Sequence, residues 1–130
     1  MAKTMDKSKI DLLLGFDLVA PKEITPSQRI KDLGITITVK PLDEDQFKEV
    51  RASAVSADGK ADEFKMATKT IQLALVDPSP EELMNATGSL TQELAIKKIF
   101  NVGERVSMSE EIMKISGFGP VQEEVEDLKN

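Results

Sequence analysis

The clearest structural signal in the chain is a short run of alternating β-branched residues, Ile-Thr-Ile-Thr-Val, at residues 35–39. Such alternation is typical of a strand with one buried face, because successive side chains of a strand point to opposite sides of the sheet. Ile35, Ile37 and Val39 would therefore face a core. A glycine precedes this strand and a proline follows it, so we expect it to be short and to need a partner strand.

The best candidate for the partner strand lies in residues 64–76, although this segment fits two structures. Its apolar residues match the spacing of a helix from Phe64 to Ala74, and the alternation of a strand from Ile71 to Leu75. Threonine and isoleucine are frequent there, and Asp-Pro breaks the segment that follows. We therefore predict a strand over about residues 68–76, paired with the first strand.

A helix is predicted between these two strands. Asp43 and Gln46 have the spacing of a capping box, and apolar residues follow at helical intervals, which indicates a helix over about residues 43–56. The cluster Asp-Glu-Asp at residues 43–45 suits the positive end of a helix dipole. It lacks the ligand spacing and glycine of a calcium-binding loop.

The second half of the chain is predicted to be almost wholly helical. Ser-Pro-Glu-Glu at residues 79–82 supplies an N-cap, a proline at the first helical position and the acid of a capping box, and Gly88 is the expected stop. The next helix is predicted to begin with a capping box between Ser89 and Gln92. A further helix is predicted over about residues 103–116, ending at the glycine that follows.

These elements predict an α+β fold, with a small N-terminal β-sheet and a packed helix followed by a mainly helical C-terminal half. Two prolines near residues 19–26 discourage regular structure, so we expect residues 1–28 to form a flexible N-terminal arm with at most one short element. Residues 29–130 are then expected to form a single domain, which suits a chain of 130 residues.

The amino-acid composition excludes most common kinds of catalytic and metal site. The chain contains no histidine and no cysteine, which removes the usual general base near neutral pH, the commonest metal ligand and the thiol nucleophile. No glycine cluster has the pattern of a phosphate-binding loop. We expect no catalytic residue, no metal site and no cofactor, and predict that the chain is not an enzyme. A hydrolase built on carboxylates stays open, but no spacing of acids indicates one.

The net charge and the hydropathy of the chain argue against binding to nucleic acid and insertion into a membrane. The net charge is −6, and the densest basic feature is the pair Lys97 and Lys98, so we expect no binding to nucleic acid. No apolar run is long enough to span a membrane, and the N-terminus lacks the features of a secretory signal, so we expect a cytoplasmic protein.

The order of several short motifs resembles that of one known family. The motifs are Ile-Thr-Val-Lys-Pro-Leu at residues 37–42, Phe-Lys-Glu-Val-Arg at 47–51, Val-Asp-Pro at 76–78, Ile-Phe-Asn-Val-Gly-Glu at 99–104, Ile-Met-Lys-Ile-Ser-Gly-Phe at 112–118 and Leu-Lys-Asn at 128–130. Over about residues 30–130 this order is similar to the XkdN-like phage tail assembly chaperones. The chain departs from the family at residues 101–102, where a proline is common.

The resemblance implies a role in building the tail of a siphovirus or myovirus. Such chaperones bind the tape measure protein, recruit tail tube protein and leave before the virion is complete. The protein would then act in the bacterial host cytoplasm and be absent from the mature virion. Self-association is expected, since coating a long rod needs many copies. The family also implies a frameshifted longer form, for which Lys129 and Asn130 fit a slippery site.

Contacts with a protein partner are predicted on the last helix and just after it, because flexible methionines suit varied helical partners. A place in the core is the plainer interpretation for the two methionines, and a capping contact with Ile112 or Ile115 is the plainer one for the phenylalanine. The predicted set is Val106, Met108, Ile112, Met113, Ile115 and Phe118.

The alternative function is a small acidic inhibitor or DNA mimic that blocks a host enzyme. A mimic needs carboxylates arrayed on one face, whereas a chaperone needs an exposed apolar groove. The acids of this chain are scattered over predicted helix starts and the tail at residues 123–127, which favours the chaperone.

Overall fold

A computed structural model of the chain describes residues 8–55 and 58–118. The elements in this part are α1 (Lys9–Leu14), β1 (Lys22–Ile24), α2 (Gln28–Asp32), β2 (Ile37–Val39), α3 (Glu44–Ala54), α4 (Glu63–Ala74), β3 (Leu75–Asp77), α5 (Pro80–Thr87), α6 (Gln92–Ile99) and α7 (Val102–Ile115). The predicted α+β class is confirmed, with a small sheet drawn mainly from the first part of the chain and helices after it.

The sheet has the strand order β1-β2-β3, and both pairs of strands are antiparallel. The central strand, β2, pairs Ile37 with Ile24 of β1 and Val39 with Leu75 of β3. Ile37 and Val39 are buried as predicted, whereas Ile35 lies before the strand and is 49% exposed. The strand is thus shorter than the alternation of residues indicated.

The N-terminal segment holds more structure than we predicted. The expectation of at most one short element within residues 1–28 is wrong, because both α1 and β1 lie there. Pro21 and Pro26 flank β1 without interrupting it, and Ile24 is buried in the core. The sheet therefore begins inside the segment expected to be an arm. The flexibility of that arm and the single domain over residues 29–130 stay predictions.

The strand predicted over residues 68–76 is also wrong for most of its length, because α4 occupies it up to Ala74. Asp62 caps α4 by accepting hydrogen bonds from the backbone amides of Phe64 and Lys65. The hydroxyls of Thr68 and Thr70 donate to carbonyls one turn earlier, at 3.0 and 2.7 Å, so these residues are satisfied within a helix. The helical spacing buries Ala67, Ile71 and Ala74.

Two of the predicted helix starts are confirmed in detail. Asp43 accepts from the amide of Gln46 at 2.8 Å while the Gln46 side chain accepts from the amide of Asp43 at 3.0 Å, which is the predicted capping box of α3. Ser79 and Glu82 form the same arrangement at the start of α5. That helix ends at Gly88, whose φ is +66°.

The starts of the last two helices differ from the prediction. Thr91 rather than Ser89 caps α6, accepting from the amide of Leu94 at 3.1 Å, while the Ser89 hydroxyl lies 2.6 Å from that of Thr87. The capping box predicted between Ser89 and Gln92 is therefore wrong. The last helix, α7, begins at Val102, one residue before the predicted start.

The core lies between the sheet and the helices, with α4 at its centre. This helix contacts α3, α6 and α7, and α5 packs on α6. No described helix combines the length and apolar character needed to cross a bilayer. The bulky core side chains are aliphatic apart from one aromatic ring, and the largest fully buried ones include Phe100, Ile37, Ile71, Ile96, Met108 and Ile112.

Candidate functional site

The structure separates the six predicted contact residues into core and surface. Met108 and Ile112 are fully buried in the hydrophobic core, so their prediction as partner contacts is corrected. Both face the interior because α7 packs on α4 along this side. Val106, Met113 and Ile115 are half-buried, and Phe118 is 44% exposed, so their role in binding stays a prediction.

The end of α7 holds Phe118 in place through its backbone. The amide of Gly117 donates to the carbonyl of Lys114 at 3.0 Å, and that of Phe118 donates to Met113 at 2.9 Å. This paired arrangement closes the helix and needs the left-handed φ of +100° at Gly117. The Phe118 ring then stacks on Phe47 of α3, with ring centroids 4.7 Å apart, a contact that the sequence did not predict.

A run of exposed apolar side chains lies near the start of the described residues. The helix α1 buries none of its residues, and the apolar side chains from there to residue 19 are 66–78% exposed. Isolated apolar residues are common on protein surfaces, whereas a run of apolar side chains this exposed is a candidate interaction site. We call it the N-terminal apolar surface, and it consists of Ile10, Leu12, Leu13, Leu14, Phe16, Leu18 and Val19.

A groove of about 640 Å³ runs beside this surface. Phe16, Leu18 and Val19 form one wall, and the loop after β2 forms another with Pro41. The predicted contact residue Ile115 lines the groove from the end of α7. The N-terminal apolar surface therefore continues into a concave region.

A second, smaller groove lies between α4 and α7 and has a volume of about 270 Å³. Two more of the predicted contact residues, Val106 and Met113, line it from α7. Met66 and Ala67 line it from α4, opposite them. We call this the α4–α7 groove. The predicted surface residues thus do not share one site. Phe118 lines neither groove and packs on Phe47 instead.

A buried carboxylate holds the N-terminal segment against α7. Glu104, 1% exposed, accepts from Nε and Nη2 of Arg29, both at 2.8 Å, and from the Ser27 hydroxyl at 2.6 Å. The Glu104 carboxylate also accepts from the amide of Asn101, whose own side chain caps α7. These interactions, with the Arg29 hydrogen bond the largest, lower the pKa of Glu104 to about 2 despite its burial.

Sequence reasoning missed Glu104 and Arg29. One signal was present, since Asn101 and Glu104 have the spacing of a capping box, and it also predicts the start of α7. No sequence pattern indicated the pairing with Arg29, which lies 75 residues away. Within residues 8–55 and 58–118, no group of three acids is placed to hold a metal ion.

Comparison with known protein families extends the resemblance found in the sequence towards the N-terminus. The family model of the phage XkdN-like tail assembly chaperone proteins matches residues 10–129, nearly the whole chain. The chain belongs to this family. The match includes the N-terminal apolar surface, which lay outside the motifs that carried the resemblance in the sequence.

The fold of this tail assembly chaperone is similar to that of a solved structure. The crystal structure of the protein yqbn, a structural genomics target, matches with a TM-score of 0.60 at 19% sequence identity. The alignment covers 78% of this chain and 87% of that one. A search of the curated proteins finds no match.

Family membership gives the short motifs a structural meaning. The Asn-Val-Gly-Glu run at residues 101–104 is the capping box of α7 and supplies the buried Glu104. The Ser-Gly-Phe run at residues 116–118 closes the same helix and places the ring on Phe47. In this chaperone both motifs shape α7, and Lys129 and Asn130 lie outside the described residues.

Proposed function

We propose that this tail assembly chaperone binds the tape measure protein, keeps it soluble and recruits tail tube subunits during tail morphogenesis. The observation that carries the proposal is the N-terminal apolar surface, which lies within the family match. A chaperone for a long helical protein needs apolar area that is available before its partner arrives. That area is present here at one end of the chain.

The physical state of α1 supports binding at this place. A helix of six residues is too short to be stable in water by itself, and α1 has no buried residue to hold it in place. Covering its apolar side chains would contribute roughly 25 cal/mol for each Å² removed from water. The net charge of −6 helps to keep a chain with such a surface in solution.

The arrangement of acids gives less support to an inhibitor or DNA mimic. Several described carboxylates are at helix starts or in ion pairs with lysines, such as Glu44 with Lys48 and Glu49 with Lys69. Paired carboxylates present little net charge to a partner, and the apolar surface has no counterpart in a mimic of a phosphate backbone.

The remaining parts of the proposal concern where and how the chaperone acts. We propose that it works in the cytoplasm of the bacterial host, associates with further copies along the tape measure protein, and is absent from the mature virion. A longer form made by frameshifting at Lys129 and Asn130 would share the N-terminal apolar surface, because that surface precedes the shift by more than a hundred residues.

Co-expression with the tape measure protein of the same phage tests the proposal. The wild-type chaperone should raise the soluble fraction of the tape measure protein. The double substitution Leu13→Ser with Phe16→Ser should remove most of this effect, because it makes the N-terminal apolar surface polar while leaving the core intact.

The matched control is Phe64→Ser with Leu90→Ser, which replaces a phenylalanine and a leucine that are 56% and 91% exposed elsewhere on the molecule. This control should solubilise the tape measure protein as the wild type does. Equal solubility of the tape measure protein with and without the chaperone would contradict the proposal.

A further inference from the structure

We propose that the α4–α7 groove is a second protein-binding site, which accepts an apolar side chain from a helix that carries lysine or arginine beside it. The site is separate from the N-terminal apolar surface and does not depend on the tape measure protein being the partner there. Its shape, its floor and its charges each point to this occupant.

The size of the groove favours a side chain over a small ligand. Its volume of about 270 Å³ is below the range usual for pockets that hold drug-sized molecules or cofactors. One or two side chains of a partner helix would fill it. The walls are the two helices α4 and α7, which pack on each other.

The floor of the groove is apolar. Ala67 and Thr70 are buried, and the Thr70 hydroxyl donates to the carbonyl of Met66 at 2.7 Å, so it offers no free donor to a ligand. Met66, Val106 and Met113 are half-buried around this floor. The flexible methionine side chains can adjust to the shape of an incoming apolar group.

Two carboxylates give the groove its charge. Glu63 lines it from the start of α4 and Glu110 from α7, and none of the described lysines and arginines lines it. Neither glutamate forms an ion pair or a side-chain hydrogen bond with the described residues, in contrast to Glu111, which pairs with Lys114. An apolar floor between two unpaired carboxylates is complementary to an apolar side chain flanked by cations.

Peptide binding to the full chain tests this site. The probes are two labelled synthetic helices of about 20 residues with one leucine pattern, which carry either lysine or glutamate at their polar positions. The protein carries Leu13→Ser and Phe16→Ser, so that the N-terminal apolar surface does not take up the probes. At about 0.15 M salt, fluorescence anisotropy should show the lysine peptide binding at least about tenfold more tightly.

Reversing the charge of the two groove carboxylates should reverse the preference for the lysine peptide over the glutamate peptide. Glu63→Lys with Glu110→Lys should weaken the lysine peptide by about tenfold or more and strengthen the glutamate peptide. The control, Glu81→Lys with Glu93→Lys, changes net charge equally and also alters two exposed acids on helices, yet lies outside the groove. This control should keep the preference for the lysine peptide.

A third variant tests the shape of the groove. Ser109→Trp, which fills the groove without changing its charge, should weaken the binding of the lysine peptide.

Three results would overturn the proposal. They are equal binding or no binding of the two peptides, equal effects of the groove and control reversals, and unchanged binding to the plugged variant. Circular dichroism checks that each variant is folded, and Glu63→Gln with Glu110→Gln replaces the reversal if that variant does not fold. Solubilisation of the tape measure protein is measured separately, so the two proposals fail independently.

Discussion

At the scale of single residues, the pair of Glu104 and Arg29 has the clearest energetic role. The carboxylate is almost fully buried and accepts four hydrogen bonds, whereas the Arg29 side chain is 49% exposed. A buried carboxylate without these donors would be strongly unfavourable, so each donor becomes part of the stability of the fold. The pair joins α2 to the start of α7.

We expect Glu104→Gln to lower the free energy of unfolding by about 2 kcal/mol at pH 7, because an amide cannot accept the charge-assisted hydrogen bonds of Arg29 and buries an unmatched donor. Urea denaturation measures the loss. The control is Glu111→Gln on the same helix, whose partner Lys114 lies 3.9 Å away at the surface, and it should change stability by less than about 0.5 kcal/mol. Equal effects of the two substitutions would contradict this role of Glu104.

The same pair predicts how this loss depends on pH. The pKa of Glu104 is lowered from 4.5 to about 2 in the folded protein, so its contribution is fully present above pH 4.5. It disappears as the pH falls towards 2, because the carboxyl group is then protonated in both states. The gap between wild type and Glu104→Gln should therefore narrow between these pH values. A gap that widens on acidification would contradict the prediction.

At the scale of elements, local capping signals predicted structure better than residue propensity did. The capping boxes of α3 and α5 could be read from the sequence because each needs only residues three apart. The strand prediction over residues 68–76 failed because threonine and isoleucine favour strands on average. In α4 a cap at Asp62 and the packing of Ile71 outweigh that preference.

Two glycines in and after α7 should respond to alanine with opposite signs. Gly103→Ala should raise the free energy of unfolding by about 0.5 kcal/mol, because alanine favours the helix and its Cβ would meet only Asn101 Oδ1, at 3.6 Å. Gly117→Ala should lower it by about 1 kcal/mol, because φ at that residue is +100°. Chemical denaturation compares the two variants directly. A shift of the same sign in both would contradict the assigned geometry of α7.

At the scale of the whole molecule, the residue at which the fold begins determines how much stability an N-terminal truncation loses. Removing residues 1–20 should change the free energy of unfolding by less than about 1 kcal/mol, because every described residue of this segment, 8–20, is exposed. Removing residues 1–28 should cost more than about 3 kcal/mol, because β1, the buried Ile24 and the Ser27 hydroxyl are lost. Thermal unfolding of both truncations measures the difference. Equal losses would show that the fold begins elsewhere.

The candidate surfaces could be predicted from the sequence only in part. Val106 and Met113 were found because α7 is apolar, but the same criterion also selected Met108, which faces the core. Periodicity identifies an apolar helix without saying which neighbour covers each side. The N-terminal apolar surface was not predicted. Its exposure depends on how the chain packs, which no local pattern encodes.

The link between Arg29 and Glu104 also bears on the time course of folding. The two residues are 75 positions apart, so the first part of the chain cannot gain this support during synthesis until most of the chain has been made. Closing so long a loop carries an entropic penalty that slows the search for the native state. During synthesis, the N-terminal half would therefore lack the hydrogen bonds between Arg29 and Glu104 until α7 has been made.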